Sequence, residues 1–236
     1  MIDKDEGIIV FSKKIKDNDL FIKVLSSKDQ IISGMVYGGN SSKKKSIYQI
    51  GYFIDYSLFQ KNTNIPPTFN ADIIKPFISY IINDKYKSHS LLSIISLVNL
   101  SIVEGQKIKN LYSSIKEIVE IIIINKHWIS FYCEWLFQLL KMIGYQIDYK
   151  NKKNYKFFNL VNQNFEKINT QNSIIFPHHM LEHTVKVSYS EIRNLFLIFE
   201  SIYTKNHLDN VNYKMPINFI NFNNLILKYL KENNNE

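Results

Sequence analysis

The chain has 236 residues, 29 lysines and arginines against 21 aspartates and glutamates, a net charge of +8 and a single cysteine, Cys133. That length allows one or two domains with a sizeable core, while one cysteine excludes a disulfide framework and a four-cysteine zinc site and fits a reducing compartment. The positive balance favours polyanions or acidic partners, but it is carried almost wholly by lysine in a chain also rich in Asn, Ile, Tyr and Phe, so part of it reads as compositional bias.

The first six residues, Met1 to Glu6, show no basic region followed by an apolar run and read as no secretory signal. Residues 1–70 read as β and hold five of the seven glycines. The expected strands are Gly7 to Lys13, Leu20 to Leu25, Gln30 to Tyr37, a long one from Tyr48 to Phe59, and a fifth at about Thr68 to Ile73. In the second, Leu20, Ile22 and Val24 alternate with Phe21 and Lys23, the period-2 pattern of a strand with one buried face. Lys14 to Asn18 and Ser26 to Asp29 are turns. Five short strands with basic loops predict a small closed barrel of the oligonucleotide-binding (OB) kind.

Pro66-Pro67 and Pro76 then punctuate the chain and the periodicity changes. Pro76 suits the first position of a helix. Ser88 is a candidate cap for a helix carrying Leu91, Leu92, Ile95, Val98 and Ile102, closed by Gly105. Another helix is expected from Ile108 to Ile124. The clearest runs from Trp128 to Ile143, with Trp128, Phe131, Tyr132, Trp135, Leu139 and Met142 on one stripe and Gly144 as its stop. Glu134, Gln138 and Lys141 interrupt it, so it predicts a core helix and no membrane span. Residues 145–175 are irregular apart from a hairpin, Phe157 to Val161 with Phe165 to Ile168. Ser188-Tyr189-Ser190-Glu191 has the capping-box pattern and opens a helix with Ile192, Leu195, Phe196, Phe199 and Ile202. A short helix from Phe219 to Leu230 and a frayed tail from Lys231 complete the reading. The fold class is therefore α+β: an N-terminal OB-fold barrel over 1–72, then a mostly α-helical domain over 73–236 with a small hairpin at 155–170.

Between Val10 and Ile50 the lysines at 13, 14, 16, 23, 28, 43, 44 and 45 face Asp17, Asp19 and Asp29, a local excess of five positive charges. Phosphate contact with counterion release is one reading of them; a solvated face of a lysine-rich protein is the other. Phe21, Tyr37 and Tyr48 are candidates for base stacking, against core packing for each. Gly34 and Gly39 have P-loop spacing, but Asn40-Ser41 stand where that motif needs Lys then Ser or Thr, which argues against nucleotide hydrolysis. Gly38-Gly39 instead let the backbone turn before the basic loop. His178, His179 and His183 with Glu182 raise a metal reading, since His179 and His183 would share a helical face; no His-Glu-x-x-His base is present, and no metal or other cofactor is expected. Arg193, the only arginine, offers a planar fork for a carboxylate, with Glu200 or Glu104 as internal partners or a partner's acidic tail as the alternative. No Ser-His-Asp, Cys-His or paired-carboxylate arrangement stands out.

Several motifs together carry a resemblance. Asp5-Glu6-Gly7-Ile8-Ile9-Val10, Asn18-Asp19-Leu20, Gly34 to Gly39 with Ser41-Ser42-Lys43, Gln49-Ile50-Gly51, and Leu139 to Asp148 with its Gly-x-x-x-Asp ending resemble the RecO family of DNA repair proteins. The resemblance implies a recombination mediator and no enzyme. It implies binding of single- and double-stranded DNA, strand annealing, and action with RecR to load RecA onto DNA coated with single-strand-binding protein (SSB), whose acidic C-terminal tail is a further partner. The implied location is the cytoplasm, at the nucleoid, within the RecFOR pathway and without a membrane. The implied DNA contacts are Lys13, Lys14, Lys16, Lys23, Gly38, Gly39, Ser41, Ser42, Lys43, Lys44 and Lys45. Lys109, Lys141 and Arg193 are candidates for the acidic tail. Some RecO proteins hold zinc with four cysteines after the Gly-x-x-x-Asp helix; this chain has none there, so no zinc is carried over. An RNA-binding or translation-associated barrel and an adaptor for acidic peptides are the alternatives.

Overall fold

Five strands close into a barrel in the order β1-β2-β3-β5-β4: β1 Ile2–Lys16, β2 Asp19–Ser26, β3 Ile31–Val36, β4 Phe53–Phe59 and β5 Thr68–Lys75. The computed structural model describes residues 2–60, 62, 64–182 and 187–233. All pairings are antiparallel except the short parallel contact of β3 with β5 at Met35 and Thr68. The alternation read in the sequence sets the interior: Ile9, Leu20, Ile22, Val24, Ile54, Tyr56, Phe69 and Ala71 form one buried cluster. β1 is longer than expected because its first half pairs with β4 while its second half pairs only with β2. Register shifts between Ile9 and Phe11 and between Lys14 and Lys16 bend the strand so that one segment can serve both neighbours.

Closure depends on Gly34. Met35 N–H donates to Pro67 O at 2.8 Å, and a Cβ on Gly34 would lie 2.4 Å from that same oxygen and 2.8 Å from the Phe69 ring. The expected fourth strand is shorter than its apolar pattern suggested. Gly51 adopts φ +88, and its N–H donates to Ile9 O at 2.8 Å while Ile9 N–H donates to Tyr52 O at 3.0 Å. These bonds turn residues 48–52 across the barrel end, and the strand starts only at Phe53.

Three helices follow: α1 Phe77–Ile81, α2 Lys85–Ser101 and α3 Leu111–Ile124. Asp84, rather than Ser88, caps α2, accepting from Tyr86 N at 3.0 Å and Lys87 N at 3.1 Å. Ser88 lies inside the first turn and donates back to Asp84 O. Asp29, in the β2–β3 turn, accepts from Asn110 N at 2.8 Å and Tyr112 N at 2.9 Å, so a barrel turn caps α3. These elements make up one compact unit, Met1–Ile123; the second is Ile124–Glu236.

The second unit is built on α4 Trp128–Met142, which buries Trp128, Tyr132, Trp135 and Leu139. Gly144 ends it as expected, with Tyr145 N–H reaching back to Leu140 O at 2.8 Å. The hairpin is present but shorter, β6 Phe157–Asn159 with β7 Asn164–Glu166, and a third strand, β8 Ser173–Ile175, pairs on the other side of β6. Asn159 Oδ1 ends β6 by accepting from Val161 N at 3.0 Å and Asn162 N at 2.9 Å. α5 Tyr189–Tyr203 opens with the capping box of Ser188 and Glu191. α6 Ile217–Asn233 runs past Leu230 into the stretch expected to fray; positions 234–236 lie outside the described residues. Among the described residues no helix is long and apolar enough to cross a membrane.

Candidate nucleic-acid interface

The candidate lysines gather at one end of the barrel. Lys13, Lys14 and Lys16 occupy the C-terminal end of β1, opposite Phe21, Leu20 and Asp19 of β2, and all three are exposed. The loop after β3 is tied to this end by two hydrogen bonds. Gly38 N–H donates to Asp19 Oδ1 at 2.8 Å, and Asn40 N–H donates to Asn18 O at 2.7 Å. Gly38 takes φ +66, which allows the chain to turn there. Beyond it, Lys44 N and Lys45 N both donate to Ser41 O, at 3.0 and 2.9 Å, winding the basic loop into a tight turn. Ser42, Lys43, Lys44 and Lys45 are exposed, Ser41 is half-buried and Gly39 is buried. Lys45 shares a shallow concavity of about 430 Å³ with Ser12, Leu20, Asn40 and Gln49. Lys23 stands on the outer face of β2, with its Nζ 5.9 Å from the Phe11 ring centre.

Three lysines elsewhere in the unit form ion pairs. Lys28 pairs with Asp3 at 3.7 Å, Lys75 with Glu120 at 3.9 Å and Lys116 with Glu6 at 3.8 Å. Among the described residues, Lys13, Lys14, Lys16, Lys23, Lys43, Lys44 and Lys45 form no ion pair. Of the two aspartates at the β1–β2 turn, Asp17 and Asp19, the second is engaged by the Gly38 N–H. A cluster of unpaired ammonium groups is a low-energy site for phosphate, because binding relieves like-charge repulsion and releases counterions.

The aromatics divide. Tyr37 is 55% exposed and stands at the start of the basic loop, and Phe21 is half-buried on the outer strand face. Tyr48 is no stacking platform: it is buried in the barrel core, its hydroxyl accepts from Ala71 N at 3.1 Å, and burial raises its phenol pKa. Gly34 and Gly39 form no phosphate cradle. Gly34 is pressed against Pro67, and no helix begins directly after Gly39.

The remaining candidates are distributed over both units. Lys109 is exposed on the turn before α3 in the first unit; Lys141, near the end of α4, and Arg193, on α5, are exposed in the second. Lys141 lines a groove of about 430 Å³ with Phe137, Ile147 and Tyr149. Neither proposed internal partner of Arg193 pairs with it. Glu200 accepts from Asn223 Nδ2 at 2.8 Å, and Glu104 takes both the N–H and the hydroxyl of Ser33, at 3.2 and 2.8 Å. His178 and His179 sit in a 3-10 helix, His178–Glu182, not the expected α-helix. His179 Nε2 lies 2.7 Å from Glu191 Oε1 and His178 Nε2 lies 2.9 Å from Tyr155 O; His183 is outside the described residues. Among the described residues no three His, Cys, Asp or Glu side chains are grouped to hold a metal. Cys133 is fully buried, and burial pushes its thiol pKa up.

One feature escaped the sequence reading. Asp5, Glu6, Asp55 and Asp72 line a concavity of about 650 Å³ on the outer face of β1, β4 and β5. Cross-strand register creates it, since Glu6 lies opposite Asp55 and Asp55 opposite Asp72. No local pattern signals such a cluster, because the pairing joins segments far apart in the chain.

A closed five-stranded barrel of this strand order is an OB-type domain. Residues 1–77 match the family described as "Recombination protein O N terminal". The chain is 29% identical over 145 residues to the DNA repair protein RecO of Rickettsia canadensis (strain McKiel), covering 61% of this chain and 59% of that protein. It is 28% identical over 144 residues to the DNA repair protein RecO of Orientia tsutsugamushi (strain Boryong), covering 61% and 60%. A third RecO, from Rickettsia akari (strain Hartford), is 29% identical over 145 residues. The match thus spans about 60% of the length of these curated relatives. The resemblance read from the sequence motifs stands.

Proposed function

We propose that this chain acts in DNA repair and recombination as a RecO-type mediator rather than as a catalyst. The barrel end formed by Lys13, Lys14, Lys16 and the loop from Gly38 to Lys45 captures the phosphate backbone of single- and double-stranded DNA. Lys23 extends the contact along β2. Captured strands are annealed and, with RecR, RecA is helped onto SSB-coated strands in the cytoplasm. The acidic SSB tail docks through Lys109, Lys141 or Arg193. The observation that carries this reading is that the end of β1 and the loop after β3 are tied together, so that their lysines gather at one end of the barrel, where among the described residues they form no ion pair. Lysine contacts of this kind read charge and not base sequence, as a mediator acting on any strand requires.

The test is fluorescence anisotropy of a labelled single-stranded DNA across a salt series, with wild type and Lys43→Glu/Lys44→Glu/Lys45→Glu. Each phosphate contact contributes about 0.7 to the log-log salt slope on single strands, so the variant should lose about 2. An unchanged slope would remove the basic loop from the site. Absence of salt-dependent binding in the wild type would overturn the reading. Tighter salt-dependent binding of RNA than of DNA would shift it to the RNA-binding class.

A further inference from the structure

The second unit carries its own cluster of unpaired lysines. After α4 the chain passes through consecutive turns from Tyr149 to Asn154, with Tyr155 N–H closing back on Lys152 O at 2.9 Å. Two contacts fix the end of this segment: Phe176 N–H donates to Lys156 O at 2.9 Å, and the His178 ring holds Tyr155 O at 2.9 Å. The β6–β7 register pairs Phe157 with Glu166, which brings Lys156 and Lys167 to the same end of the hairpin. The Tyr155 ring collects two ammonium groups, Lys152 Nζ at 4.8 Å from its centre and Lys167 Nζ at 5.5 Å. Cation–π attraction holds both cations in place against their mutual repulsion.

Glu134 lines a cavity with Lys150, while three other nearby carboxylates have partners of their own. Asp148 accepts from Asn151 Nδ2 at 3.1 Å. Glu166 accepts from Asn159 Nδ2 at 3.0 Å and from Thr170 Oγ1 at 2.7 Å. Glu182 pairs with Lys153, which lowers the pKa of its carboxyl. Among the described residues, Lys150, Lys152, Lys156 and Lys167 form no ion pair. The patch lies on turns and a hairpin end, with no amphipathic helix to enter a lipid surface.

We propose that Lys150, Lys152, Lys156 and Lys167, arranged around Tyr155, form a second site for the phosphate backbone of single-stranded nucleic acid. This rests on the nucleic-acid reading of the barrel for its ligand class, and it adds a place for another strand or another stretch of the same one. A chain with one backbone site on each unit can hold two strands at once, the elementary requirement of annealing.

The test uses the full chain and a labelled oligothymidylate of about 20 nucleotides, a length that spans a few OB-sized sites. Four proteins are titrated across salt: wild type, the barrel variant Lys43→Glu/Lys44→Glu/Lys45→Glu, the patch variant Lys152→Glu/Lys156→Glu/Lys167→Glu, and the sixfold combination. The proposal predicts that each triple variant retains salt-dependent binding with a slope lower by about 2, and that the combination lowers it by about 4. A patch variant with wild-type slope and stoichiometry would overturn the second site while leaving the barrel reading intact. A barrel variant with wild-type binding beside a silent patch variant would support the second site and overturn the barrel assignment. Patch-dependent binding of phosphatidylglycerol vesicles without oligonucleotide binding would overturn the nucleic-acid proposal. The Lys152→Gln/Lys156→Gln/Lys167→Gln variant, checked by circular dichroism, separates charge loss from misfolding.

Discussion

On the β1–β4–β5 side of the barrel, several charged groups are engaged in structure. Asp5 takes the Ser27 hydroxyl, Glu6 pairs with Lys116 and Asp3 with Lys28. In the β2–β3 turn of the same barrel, Asp29 caps α3. At the end formed by the last residues of β1 and the 38–45 loop, hydrogen bonds from backbone N–H groups hold the loop, and among the described residues the lysine side chains form no ion pair. The two regions share one core and differ in what their charges are for. Substitution in the first should change stability with little effect on a ligand. Substitution at the basic end should do the reverse, within the ±0.5 kcal/mol usual for exposed positions.

The largest effect should come from breaking what both regions share. Gly34→Ala forces a methyl group onto Pro67 O and the Phe69 ring at the β3–β5 closure. It should destabilise the protein by about 1–3 kcal/mol, read as a lower Tm. An unchanged Tm would mean that β5 does not close on β3. Next, Asp29→Ala removes both capping bonds to α3 and should cost about 1–2 kcal/mol while leaving the DNA salt slope unaltered. A fall in that slope would erase the distinction between the two regions.

The smallest effect lies in the second unit, at a carboxylate held by an amide instead of a cation. Burial raises the Glu200 carboxyl pKa, and the Asn223 amide only partly offsets it. The folded chain therefore holds this proton more tightly than the unfolded one. The associated stability is complete below the ordinary carboxylate pKa and is lost as pH rises through the raised value. Glu200→Gln keeps the acceptor for Asn223 and removes the titration. Its Tm should exceed wild type by a few degrees at about pH 7 and match it near pH 4. An equal difference at both pH values would assign the effect to packing.

Much of the barrel was legible because it rests on local signals. The alternation of Leu20, Ile22 and Val24 marked the interior, and Gly144 and the Ser188–Glu191 box marked helix ends. What failed was decided by distant partners. Tyr48 to Tyr52 has the composition of a strand, but bonds to Ile9 and the positive φ of Gly51 make it a turn and bury Tyr48. Ser88 and Asp84 are both competent caps, and the carboxylate in the outer position takes the role. The lysines of the basic end were visible in the sequence. Where two of the nearby carboxylates go was not, because Asp19 is taken by the Gly38 N–H and Asp29 turns away to α3.

The most direct test of the contrast is a lysine acetylation footprint read by mass spectrometry, with and without saturating single-stranded DNA. Lys13, Lys14, Lys16 and Lys43 to Lys45 should become protected by DNA, while Lys28, Lys75 and Lys116 should keep the same reactivity. Protection of the ion-paired set with unchanged labelling of the basic end would contradict the account.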